Sequence, residues 1–250
     1  VQMVTKAAPL PDIVARCLDD FIESAKDAFK DDLLSATLFG SAAEGRLRPS
    51  SDVNLILVLK RFNQAAADQV SQSLRAAHAA IMLQAMFILE TEVALAAEAF
   101  AVKFADIETR HEVLFGKDYF TDLEIPVDAL HFRVRQVLAN QILRLRESYV
   151  LNSPQDEQLS RIIAGVAGPL RAAAVTLLKL QGRSAASPKE ALQMVAHDHP
   201  GTAWDPVLLA ITKARDGVSL ASDEARGVYF SILALANLML DDANKLGASR

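Results

Sequence analysis

Apolar residues recur at three-to-four spacing from Asp12 onward, at Ile13, Cys17 or Leu18, Phe21 or Ile22, Ala25 and Phe29, with charges between them. That rhythm predicts an amphipathic helix. Two contiguous apolar runs follow: LLSATLF from Leu33, ended by Gly40, and VNLILVL from Val53, rich in branched residues. Runs of this kind predict strands buried on both faces. The alanine-rich, glycine-free stretch from Asn63 to about Met82 favours a second helix, and MFILE from Met86 returns to strand character. TEVALAAEAF reads as a helix opened by Thr91, and AVKFADI from Ala101 as a further strand. The alternation of helix and strand predicts an α/β (α+β) sheet domain for this half of the chain.

The pattern changes at Pro126. Val127, Leu130, Val134, Val137, Leu138, Leu145 and Tyr149 form one apolar stripe on a long helix with proline in its first turn. Ser153-Pro154 and Ser187-Pro188 each offer a serine N-cap followed by proline at the first helical position, and Glu190 completes a capping box with Ser187. Gly168-Pro169 is expected to kink the helix it interrupts, and Asp205 and Ser222 are the expected caps of the last two helices. The expected organisation is a mixed-sheet domain over residues 1–123 and an all-α helical bundle over 124–250.

Composition narrows the function. With 250 residues, 51% of them apolar, the chain can bury a substantial core. A net charge of −5 counts against nonspecific nucleic-acid binding, which is driven by lysine and arginine displacing counterions. The 6% aromatic content also counts against a polymerase-type groove with stacking platforms. The single cysteine, Cys17, excludes an internal disulfide and a cysteine-rich zinc site, which suits a reducing compartment. The apolar stretch YFSILALANLML runs for 12 residues, too short to span a bilayer, and no charged-then-apolar leader opens the sequence. The expectation is a cytoplasmic protein with no membrane partner.

Candidate chemistry concentrates in LFGSAAEGRLRPSSDVN, residues 38–54. A strand that stops at Gly40-Ser41 and turns into a short helix leaves backbone N–H groups and the serine hydroxyl able to grip an anion. Gly40 allows close approach of a ligand, and Gly45 lets the chain leave at an angle that a Cβ would resist. Asp52 and Asn54, two apart on a strand, project to the same face. Arg46 and Arg48, between the loop and Asp52, are well placed for a triphosphate.

Gly40-Ser41, Ala43, Gly45 and Ser51-Asp52-Val53-Asn54-Leu55 resemble the signature of the nucleotidyltransferase superfamily, the DNA polymerase β-like fold that includes antibiotic adenylyltransferases. The resemblance covers Leu33 to Leu59. It implies a glycine-serine loop, two acidic residues on one strand, a third carboxylate on a later strand, and a helical domain that closes over the acceptor. It further implies Mg2+ held by Asp52, position 54 and the third carboxylate, for which Asp106 in AVKFADI is the candidate and Glu108 the competitor. The implied reaction moves a nucleoside monophosphate from a nucleoside triphosphate to a hydroxyl-type acceptor on a small molecule or protein. Asp52 and Asp106 are then catalytic, Asp106 helping to deprotonate the acceptor. Asn54 departs from the family's aspartate and removes one negative charge from the metal site. Three readings stay open: a one-metal enzyme, an enzyme that recruits Glu108 or Glu44, and a catalytically inactive nucleotide-binding or interaction module.

Other features carry less. Lys103 would face away from Asp106 on a regular strand. Arg133 with Arg144 and Arg135 with Arg146 read as solvated helix faces. His111-Glu112 lacks the second histidine of a zinc-protease motif, and His197-Asp198-His199 sits at an expected helix end. The apolar stripes of the second half read as core or as a homodimer face.

Overall fold

The computed structural model describes residues 9–48, 51–152 and 156–248. By contact the chain divides into two compact units, Val1–Glu98 with Lys103–Glu124 and Ala99–Val102 with Ile125–Arg250.

In the first unit, helix α1 (Asp12–Phe29) buries Val14, Leu18, Phe21, Ile22, Ala25 and Phe29, the face its apolar spacing marks out. Strands β1 (Leu33–Phe39) and β2 (Val53–Leu59) pair antiparallel. Helix α2 (Gln64–Ile81) is capped by Asn63, whose side chain accepts from the Ala66 N–H at 3.0 Å. It crosses over to β3 (Leu83–Leu89), which runs parallel to β2, while β4 (His111–Gly116) pairs antiparallel with β1. The result is a mixed sheet in the order β3-β2-β1-β4. One face, carrying Leu38, Val53, Leu55, Leu57 and Leu83, packs under α1 and α2. The other carries Phe39, Asn54, Ile56, Val58 and a buried Ser35–Thr37 hydroxyl pair at 3.1 Å. Since β2 lies inside the sheet and is covered on both faces, its unbroken apolar run is what a central strand requires.

Three expectations are corrected here, and one strand is added. AVKFADI is not a strand but most of helix α4 (Ala101–Thr109), which follows α3 (Val93–Ala99). Its buried residues Ala101, Val102, Phe104, Ala105 and Ile107 fall at helical spacing, and a strand would have alternated them. The strand in this part of the chain is instead β4, at one edge of the sheet, short and only half-buried. Strand β3 begins at Leu83, three residues before the expected Met86, because Met82 ends α2 in a left-handed conformation and the strand starts without a loop. After Gly40 the chain forms a compact turn rather than a helix.

The second unit is helical: α5 (Val127–Asn152), α6 (Asp156–Leu180), α7 (Pro188–His197), α8 (Trp204–Arg215) and α9 (Ser222–Ala248). Leu138, Leu170, Leu177, Leu192, Ile211 and Leu235 are among its core. The Tyr229 hydroxyl donates to the Leu145 carbonyl at 2.7 Å, and burial pushes that phenol up to about 12. The Ser187 cap forms as expected, accepting from the Glu190 N–H at 3.2 Å while Glu190 accepts from the Ala186 N–H at 2.8 Å. Asp205 does not cap α8: Ala203 holds that position, and Asp205 accepts from His197 Nε2 at 3.0 Å. The Ser153-Pro154 cap and the Ser222 side chain lie outside the described residues. Helix α6 runs through Pro169, and its Glu157–Leu180 stretch is apolar enough by composition to cross a membrane. Leu159, Ile163, Ala167, Leu170, Ala174 and Leu177 of that stretch are core residues of the bundle.

Candidate functional site

The register gathers the candidate residues at one end of the strands. Phe39, the last residue of β1, lies opposite both Asn54 on β2 and His111 on β4, and Asn54 lies beside Gln84 on β3. Residues paired in this way share a face, so Phe39, Asn54, Gln84 and His111 form a row across the strand ends. Helix α4 lies on that face. Lys103 sits over the Phe39 ring, with Nζ 5.4 Å from its centroid, and Phe104 packs on Phe120, which meets the His111 ring edge-on.

The turn after β1 is tied at both ends. Gly40 and Gly45 take φ of 76° and 65°, and the Glu44 and Arg46 N–H groups bond back to the Gly40 and Ser41 carbonyls at 3.3 and 2.9 Å. A Cβ at Gly40 would meet no atom within 4 Å, so glycine is needed there for its backbone angle and not for space. The Gly40 N–H donates to the Arg110 carbonyl at 3.0 Å, which anchors the turn to the residue that joins α4 to β4. Ser41, half-buried, stands at the head of this turn.

Asp52 is exposed just before β2, and the Asn54 amide donates to the Asp52 backbone carbonyl at 3.3 Å. Gln84, exposed in the next strand, is a second amide at the same level. Sequence reasoning passed over it because the start of β3 was placed after it. Asp106 is on a helix, and both its oxygens accept from Arg110. The same guanidinium reaches Glu44 of the turn at 2.9 Å. Burial alone would lower the Arg110 pKa, but the bonds and charge of Asp106, then of Glu44, outweigh it and raise the value. Arg110 is the other residue that sequence reading missed; its signal was the i,i+4 spacing from Asp106, visible only once the segment is read as a helix. Glu108 is two residues further along α4, about 200° around the helix from Asp106. Arg46 is largely exposed, with its guanidinium 4.0 Å from Glu44. The Arg48 N–H donates to Ser51 Oγ at 3.4 Å.

Helical geometry also revises Lys103. Three residues before Asp106 it shares that residue's side of α4. The residue is exposed, yet partial desolvation of its ammonium lowers its pKa. Among the described residues no carboxylate pairs with it. The histidines serve structure. His111 bonds the Ile107 carbonyl through Nδ1 at 2.7 Å and Asp118 through Nε2 at 3.2 Å, and His199 Nε2 bonds Asp242 at 2.8 Å. Arg135, Arg144 and Arg146 are exposed, and Arg133 donates to Gln136.

The donors near the strand ends do not suit a pair of divalent ions. Asp52 offers one carboxylate, Asn54 and Gln84 are neutral, and Asp106 and Glu44 are engaged by Arg110. Among the described residues no three histidine, cysteine, aspartate or glutamate side chains gather closely enough to hold a metal ion. Hard divalent cations favour several anionic oxygens, and one carboxylate with two amides falls short of that.

The mixed sheet with its turn at the strand ends, followed by a set of helices, is the nucleotidyltransferase fold. The chain superposes on spectinomycin adenyltransferase from Enterococcus faecialis, solved with ATP and spectinomycin, with a TM-score of 0.64 over 90% of this chain and 98% of that one, at 15% identity. A 52-residue stretch is 40% identical to a candidate protein adenylyltransferase of Methanocaldococcus jannaschii. That match covers 21% of this chain and only 35% of the relative's length. No family model matches the chain.

Proposed function

We propose that this chain is a nucleoside-triphosphate-binding protein on a nucleotidyltransferase fold, with nucleotidyl transfer weakened or lost. The observation that carries the reading is the pairing of Asn54 with Gln84 beside an intact Gly40–Ser41 turn. The Gly40–Ser41 turn keeps the backbone form that suits phosphates and Asp52 remains as one carboxylate beside it, while the neighbouring strand positions hold amides. Gly40 and Ser41 would line the phosphates, with Arg46 and Arg48 contributing charge. Asp106 contributes through Arg110, as a brace for the turn, because both its oxygens accept from that guanidinium, which also holds Glu44.

A second reading has its own support in the 40% identity to a candidate protein adenylyltransferase. In it the chain slowly moves a nucleoside monophosphate to a hydroxyl on a protein or small molecule, and Asp52 is the catalytic carboxylate. The two readings separate when the purified chain is incubated with each nucleoside triphosphate, and bound nucleotide and released pyrophosphate are both measured. Retained triphosphate without pyrophosphate above the rate of a Ser41→Pro control supports the first reading. Pyrophosphate release with labelled acceptor supports the second, and absence of binding under every condition rejects both.

A further inference from the structure

The mismatch between donors and metal pair has a counterpart in the cations around the site. Lys103 lies over Phe39, the residue that precedes Gly40 and faces Asn54 across the ladder. Residues paired across an antiparallel ladder are about 4.5–5.5 Å apart at Cα, so one ammonium stands within a residue of both the turn and the amide pair. Arg46 projects from the far end of the turn, exposed and only loosely held by Glu44 at 4.0 Å. The anionic side is depleted in parallel. Glu44 and Asp106 share one guanidinium, Asn54 and Gln84 carry no charge, and of Glu44, Asp52 and Asp106 it is Asp52 that stands exposed and outside the grip of Arg110.

A site built for a metal-bound triphosphate gathers carboxylates, because the metals supply the positive charge that the phosphates need. A site that takes the bare polyanion needs the reverse, few carboxylates and unpaired ammonium or guanidinium groups at the phosphate turn. We propose that the site at the Gly40–Ser41 turn binds a nucleoside triphosphate free of divalent metal, with Lys103 and Arg46 as the cations that meet its phosphates. This rests on the reading of the chain as a nucleotide-binding protein and specifies the form of ligand it takes. Lys103 also gives the arrangement a reason: an exposed lysine with a partly desolvated ammonium and an aromatic ring beneath it gains a full-strength partner when a phosphate arrives.

The test is calorimetric titration of ATP into the full chain, once in EDTA and once in excess Mg2+. The expected result is affinity in EDTA equal to or tighter than in Mg2+, weakened about tenfold or more by Lys103→Met and largely kept by Lys103→Arg. Lys103→Gln, a milder change at the same exposed helix position, gives the same loss if Lys103→Met folds poorly. The double variant Asn54→Asp with Gln84→Glu reverses the preference, so that Mg2+ becomes necessary for binding. Binding by the wild type that requires Mg2+, or binding that neither the Met nor the Gln substitution weakens, overturns this inference and leaves the nucleotide-binding reading standing. No binding in either buffer overturns that reading and the inference with it.

Discussion

Arg110 braces the Gly40–Ser41 turn through Glu44 and its own carbonyl, and Arg110→Met is the sharpest perturbation of that turn. The guanidinium binds Asp106 and Glu44 with side-chain exposures of 20%, 18% and 22%, so all three charges are mostly withdrawn from water. At an effective dielectric near 20 each contact is worth about 4 kcal/mol in Coulomb terms, most of it offset by desolvation. Truncation leaves two carboxylates facing each other without a cation. Breaking a fully buried pair costs about 3–5 kcal/mol, and the residual exposure here reduces the expectation to about 2–4 kcal/mol. Urea unfolding followed by far-ultraviolet circular dichroism measures the loss, and peptide-level hydrogen exchange over residues 40–48 localises it. Trp204, the sole tryptophan, lies in the helical unit, so its fluorescence transition serves as an internal control. Adding Asp106→Asn and Glu44→Gln to Arg110→Met recovers most of the loss, because no stranded charge remains. A change below about 0.5 kcal/mol in the single variant, or no recovery in the triple, refutes the argument.

Three further outcomes follow from the same structure. Gly116→Ala places a Cβ 2.0 Å from the Leu34 carbonyl oxygen at a φ of 78°, so β4 must shift; a loss of about 3 kcal/mol or more in urea unfolding is expected, and an unchanged midpoint contradicts it. Partial burial pushes the Asp118 carboxyl up, but bonds from Thr121, the Phe120 N–H, His111 and the Thr121 N–H outweigh it and hold the group well below the usual carboxylate range. That stability is present above the unfolded pKa of about 3.9 and is lost as pH falls towards the depressed folded value. Asp118 is more than a third exposed, so solvent screening limits the loss in Asp118→Asn to about 1 kcal/mol or less at neutral pH, with a flatter acid limb in a pH-stability profile, whereas an unaltered acid limb would count against the bond network. Asn54→Asp alone raises the Mg2+ dependence of ATP binding several-fold in a dialysis assay, and an unchanged dependence removes Asn54 from the site.

The parts of the fold that announced themselves did so by unbroken or strictly periodic patterning. β2 is apolar on both faces because it lies inside the sheet, and the face of α1 repeats at helical spacing. AVKFADI was misread because a short apolar run satisfies either period. Lys103 and Asp106 share one side of a helix, with Arg110 just past its end reaching back to Asp106, whereas on a strand Lys103 and Asp106 would point apart. β4 escaped notice because a short edge strand with half-exposed residues needs no apolar signature. At the candidate site, the Gly40 turn and the strand position of Asn54 were legible from local backbone and strand-parity reasoning, while Asp52 lies just before the strand and not on it. Gln84 and Arg110 were not legible, since a register fixes the first and a contact 66 residues apart in sequence fixes the second.

The central claim is that a nucleoside triphosphate binds at the Gly40–Ser41 turn. Ser41→Asp puts a negative charge where the phosphates would lie, at a half-buried turn position. Titration of ATP into the wild type and this variant, with the variant's fold checked by circular dichroism, reads the claim directly. Saturable one-to-one binding by the wild type that falls at least about tenfold in Ser41→Asp is the predicted result. No binding by the wild type, or equal binding by both, would contradict it.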